Sequence, residues 1–143
     1  MLYNINDRIK NSSKYVNANT FGSTFSNSIV NNTFSMLNAN IRGMASNLDD
    51  FKQLLGSLKY DFPIIGITEN WLKPHNVDNF QLEGYSHEYN IRPKKIGGGV
   101  SLFLSSNIMY TRRDDIQFNS VFNSVTLDIQ KKELNLCNYH SCV

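Results

Sequence analysis

The chain has 143 residues, 41% of them hydrophobic, and its 14 Lys and Arg nearly balance its 12 Asp and Glu. That length allows about one domain with a real core. The near neutrality excludes a protein that grips nucleic acid through bulk positive charge, so any such contact has to be local.

Cys137 and Cys142 fall in one extended segment at an odd separation, which points them to opposite faces. They form neither a disulfide framework nor a metal clip. No apolar run approaches the roughly 20 residues that cross a bilayer, and the start lacks the pattern of a signal peptide. No membrane partner is expected, and an intracellular, reducing compartment, nucleus or cytoplasm, is.

Residues 1–33 are dominated by Asn, Ser and Thr, with scattered Ile5, Val16, Phe21, Phe25 and Ile29 and no sustained period. They read as a polar, disordered leader, in which Asp7, Arg8 and Lys10 are a solvated patch. A folded domain is expected over residues 34–143.

It opens with Phe34 to Ile41, a strand ending in Arg42-Gly43. Ser46, with Asp49 three residues on, suggests a helix N-cap, and Asp49 and Asp50 suit the positive end of the helix dipole. Leu48, Phe51, Leu54, Leu55 and Leu58 then recur at helical spacing, a stripe meant for a sheet. Pro63 opens a second strand, Ile64-Ile65-Gly66-Ile67, whose unbroken apolar run belongs to a strand covered on both faces. Strand, helix, strand is a βαβ unit, so the two strands should lie parallel. Asn40 and Glu69 would then reach one edge, about 5 Å apart for neighbouring strands or about 10 Å with one between. Open α/β sheets meet ligands at that edge.

Lys73 to Asn76 is turn chemistry. Phe80 to Tyr85 reads as a loop anchored by Phe80 and Leu82, and Tyr85 to Tyr89 as a brief strand. Gly97-Gly98-Gly99 leads into a strand, Val100 to Leu104. A further strand is expected within Phe118 to Ile129 and another over Leu134 to Val143, joined by a turn at Gln130 to Glu133, so the second half is mainly antiparallel. The fold class is therefore α/β or α+β, with a mixed sheet.

The glycine triplet lacks the Walker lysine and the dinucleotide spacing, and it precedes a strand, so a tight backbone passage is expected there instead of a phosphate cradle. Lys94 and Lys95 beside it read as solvated. His75, His87 and His140 show neither metal-ligand spacing nor a nucleophile elbow and read as structural or surface residues. Trp71 should anchor the loop leaving the second strand, although an exposed indole there could stack on a base. Asn40 and Glu69 stand apart, because an amide and a carboxylate at one edge make a partial site for a hard divalent cation. A phosphodiester hydrolase also needs a group that activates water, and no clear general base is present.

Leu37 to Gly43 (LNANIRG), the following helix, Ile64 to Leu72 (IIGITENWL), Phe80 to Tyr85 (FQLEGY) and Gly97 to Leu104 (GGGVSLFL) together resemble the endonuclease/exonuclease/phosphatase superfamily. Within it they are most similar to the endonuclease that accompanies reverse transcriptase in non-LTR (LINE-type) retrotransposons, over about Phe34 to Val143. The resemblance implies a DNA phosphodiester as substrate and Mg²⁺ or Mn²⁺ as cofactor. Asn40 matches the asparagine that helps hold the scissile phosphate, and Glu69 the metal-binding glutamate, so both are candidate catalytic residues. Asn70 departs from the usual threonine. The family's later motifs, a tyrosine-bearing segment, Asp-x-Asn and Ser-Asp-His, do not occur in these residues. The chain thus resembles the N-terminal half of a four-layer α/β sandwich, inactive by itself, from a protein whose full-length relatives carry a reverse transcriptase. A non-catalytic nucleic-acid or protein interaction module, and a phosphatase of the same superfamily, are the alternatives.

Overall fold

The computed structural model describes residues 15–25, 35–92, 97–116 and 123–130. Its centre is the apolar run: β2 (Ile64–Thr68) is buried at its first four positions and has a neighbour on each side. On one side β1 (Met36–Asn40) pairs with it in parallel, Leu37 opposite Ile65 and Asn40 opposite Thr68. On the other side β4 (Val100–Ser105) runs antiparallel to it, and β3 (Tyr85–Asn90) pairs antiparallel with β4, giving the order β1-β2-β4-β3. The mixed sheet and the parallel first pair agree with the sequence expectation.

Helix α2 (Met44–Leu58) makes the crossover, and its Met44, Leu48, Phe51 and Leu58 form one core with Ile65, Ile67 and Phe103 of the sheet. Burying each such side chain contributes roughly 1.5–3 kcal/mol relative to leaving it exposed. Two sequence expectations need correction here. The helix starts at Met44 and not after Ser46: Gly43 precedes it with no side-chain cap, and no acidic residue lies in its first turn. Asn47 does the holding instead, its Nδ2 donating to the carbonyls of Ile41 (2.8 Å), Arg42 (3.3 Å) and Gly43 (3.2 Å). Leu54 leaves the expected stripe and is 43% exposed, because the core-facing arc is narrower than five leucine-type positions require.

The leader also differs from expectation where it is described. Residues Ala18–Phe25 form helix α1, whose start is capped by the Asn17 side chain accepting the Thr20 N–H (3.0 Å). Disorder is overridden by an aromatic cluster: Phe21 meets Tyr60 edge-on and lies near Phe62, with ring centroids 5.8 and 5.7 Å apart. The rest of residues 1–33 lies outside the described residues.

Beyond β2, a turn (Asn76 N–H to Lys73 carbonyl, 3.0 Å) and a short 3-10 helix (Val77–Asn79) lead to buried Leu82 and into β3. A hairpin of β5 (Tyr110–Arg112) and β6 (Leu127–Ile129) attaches through Glu88 of β3, which accepts from Tyr110 Oη (3.0 Å) and the Arg112 guanidinium (2.8 Å). β5 had no sequence signal, since its three residues run into Arg113-Asp114-Asp115. Of the strand expected within Phe118 to Ile129, only β6 is described as strand. The turn after Gln130, the strand expected over Leu134 to Val143, and Lys94, Lys95, Cys137, His140 and Cys142 lie outside the described residues. No helix among the described residues is long and apolar enough to cross a membrane.

Candidate functional site

Because β1 and β2 are parallel and β4 opposes them, the residues after Asn40, those after Thr68 and those before Val100 all gather at one edge of the sheet. Main-chain hydrogen bonds lace the three loops together. Gly43 N–H donates to the Glu69 carbonyl (2.8 Å) and Met44 N–H to that of Asn70 (2.9 Å), while Asn70 and Trp71 N–H donate to Gly99 (3.3 Å) and Gly98 (3.1 Å). The lacing demands unusual backbone. Arg42, Glu69 and Trp71 take φ of 48°, 56° and 52°, and Gly43, Gly97, Gly98 and Gly99 are positive as well; elsewhere among the described residues only Lys59 and Gly84 are. Left-handed conformations of non-glycine residues persist only where the surroundings over-determine them, and they concentrate at functional sites.

The glycine triplet serves this geometry, as a tight passage into the strand. At Gly99 a Cβ would stand 2.1 Å from the Oδ1 of Asn70. Asn70 fills that space and is 1% exposed; it accepts the Leu72 N–H on Oδ1 (3.1 Å), which turns its amide nitrogen to Ser101 Oγ (3.0 Å). Ser101 in turn meets His87 Nε2 at 2.9 Å, and the His87 ring stacks on Phe103 at 4.3 Å. Burial holds His87 down at about 4, against smaller opposing effects of Glu88 and the Phe80 main chain, so the ring is neutral and shares one hydrogen bond with Ser101. Its Nδ1 forms no hydrogen bond of normal geometry; the Phe80 main chain favours the charged ring only slightly. His87 is thus structural, as expected, and Ser101, 1% exposed, is a buried brace and not a nucleophile. His75 sits exposed in its turn.

Glu69 emerges from this braced floor, half-buried. Its Oε2 accepts from Trp71 Nε1 (2.8 Å) and from the Gly98 N–H (2.7 Å). These two donors, with the charges of Arg92 and Arg42 adding and burial opposing, hold the carboxyl below the usual carboxylate range. Among the described residues nothing donates to Oε1. Asn40 ends β1 at the same edge, opposite Thr68 and exposed, with no hydrogen bond to Glu69. Trp71 anchors its loop, its six-membered ring against Gly43, where a Cβ would come within 2.9 Å of Cε3, and it remains 43% exposed.

The sequence singles out Asn40 and Glu69 as candidates and Trp71 as a loop anchor, but not Asn47, Ser101 or the Gly98 amide as their supports. Only the Gly98 N–H had a signal, in the glycine run. Among the described residues no group of three or more His, Cys, Asp or Glu could hold a metal ion. The edge offers a hard cation only part of a shell: one ionised carboxylate oxygen, Glu69 Oε1, at the edge where the strand carrying Asn40 ends. Mg²⁺ keeps several waters and takes few protein ligands, so one carboxylate oxygen is compatible with it but does not enclose it. Two hollows of about 150 and 290 Å³, lined by residues such as Arg112, Arg113 and Thr126, and Leu55, Leu82 and Tyr85, lie away from Glu69. Arg112 and Arg113 are engaged by Glu88, Asp114, Asp115 and Asp128, which leaves that first hollow without a dedicated anion receptor. Comparison of the chain with protein-family models and with curated protein sequences finds no match.

Proposed function

We propose that this chain carries the metal- and phosphate-binding half of a phosphodiesterase site of the endonuclease/exonuclease/phosphatase type, from the branch that accompanies reverse transcriptase in non-LTR retrotransposons. The mixed sheet with α2 on one face then corresponds to one sheet and one helix layer of a four-layer sandwich. The single observation that supports this most is Glu69, an ionised carboxylate fixed at the carboxyl edge of a parallel strand pair beside the end of the strand that carries Asn40.

Bound Mg²⁺ or Mn²⁺ would neutralise charge developing on the phosphodiester oxygens. Glu69 would offer it Oε1, because Trp71 and Gly98 occupy Oε2. Asn40 would orient the phosphate or the ion's water shell, and the exposed Arg42 would attract the nucleic-acid backbone. His87 is buried, neutral and bonded to Ser101, so it is not placed to take a proton from water at this edge. Among the described residues that arrangement, with Glu69 as its carboxylate, favours binding without turnover, the alternative of a non-catalytic module. The purified chain is expected to bind DNA in a salt-dependent way and to leave supercoiled plasmid intact in Mg²⁺. A metal-dependent nick that disappears in Glu69→Ala would contradict the inactivity, and absence of DNA binding would contradict the reading as a whole.

A further inference from the structure

Trp71 is oddly placed for a packing residue. Asn70 and Leu72 on either side are 1% and 2% exposed, whereas the indole between them is 43% exposed. It is nevertheless held fast. The ring nitrogen donates to Glu69, the main-chain N–H to Gly98, the six-membered ring lies on Gly43, and the backbone sits at φ 52°. An exposed aromatic surface that is already immobilised loses little entropy when a planar ligand lies on it. Cations flank it: Arg42 is exposed next to Gly43, and the Arg92 side chain lies over Gly98. A planar apolar surface, guanidinium charge and a carboxylate within one loop cluster suit a nucleotide, with base on indole and phosphate toward arginine.

We infer that Trp71 is a stacking platform for an unpaired nucleobase, so that this edge prefers single-stranded or locally opened nucleic acid over closed duplex. The inference rests on the phosphodiester reading of the same edge and adds the strandedness of the substrate. In a closed duplex each base is already stacked on its neighbours and leaves no face for the indole.

Trp71 is the only tryptophan in the chain, so its fluorescence reports on this site alone. The test titrates the 143-residue chain with an end-labelled 12-nucleotide single strand, and separately with its duplex, in Mg²⁺ buffer. Label anisotropy and tryptophan emission are read together. The expected result is tighter binding of the single strand, with emission quenched along the same isotherm. Trp71→Ala should weaken single-strand binding on the order of tenfold and Trp71→Phe far less. Rising anisotropy with unchanged emission, or duplex bound as well as single strand, overturns the stacking while leaving the phosphodiester reading intact. No anisotropy change with either nucleic acid overturns both. Should Trp71→Ala lose its circular dichroism, the wild-type quench and Trp71→Phe decide.

Discussion

Gly99 shows how tightly the site is specified by single residues. Alanine there would put a Cβ 2.1 Å from Asn70 Oδ1 at a φ of 82°, so the Asn70 side chain and the loop carrying Glu69 would have to move together. Gly99→Ala should cost about 2–4 kcal/mol, combining backbone strain with overpacking against a buried polar group, measured by urea denaturation. A midpoint unchanged from wild type would mean that Asn70 does not occupy that space. The functional candidates were legible at this scale because Asn40 ends one strand and Glu69 follows the next. Their braces were not, since Asn47, Asn70 and Ser101 act through contacts that no spacing rule encodes.

At the scale of elements, β3 and β4 are joined by their ladder and also by the buried chain from Asn70 through Ser101 to His87. His87 titrates near 4 when folded and near 6.5 in an unfolded chain, so between those values the unfolded state binds more protons. Stability is therefore fully present above about pH 6.5 and falls as pH drops toward 4. Allowing for partial solvent screening, the loss is on the order of 2 kcal/mol. Unfolding free energies measured across that window should show it, and His87→Gln should flatten the slope. An unchanged slope in the variant would remove His87 as the cause.

The sheet elements were read well wherever an apolar period ran unbroken, as in β2 and β4. The start of α2 was misplaced because a Ser and an Asp at capping distance imitate a cap that the structure makes with Asn47 instead. α1 was missed because its eight residues (Ala18–Phe25) are stabilised by Tyr60 and Phe62, distant in sequence, more than by any local period.

For the whole molecule, the sheet is covered by α2 on one face, and on the other the β5–β6 hairpin reaches β3. β1 is an outer strand with β2 as its only described partner, its pattern alternates exposed and half-buried, and Met36 is 49% exposed. Such an edge invites pairing with another chain, so the 143-residue chain should self-associate with rising concentration in sedimentation velocity. A clean monomer with a cooperative melt would contradict that. The parallel pair and its shared edge followed from residue order alone, whereas the covering of each face depends on long-range contacts that the order does not reveal. The most direct test is a Mn²⁺ titration of ¹⁵N-labelled chain. Paramagnetic broadening should appear first at the amides of Asn40, Glu69, Trp71 and Gly98 and vanish in Glu69→Gln; broadening centred on Asp49 and Asp50 or on Asp114 and Asp115, and indifferent to that substitution, would contradict a cation site at Glu69.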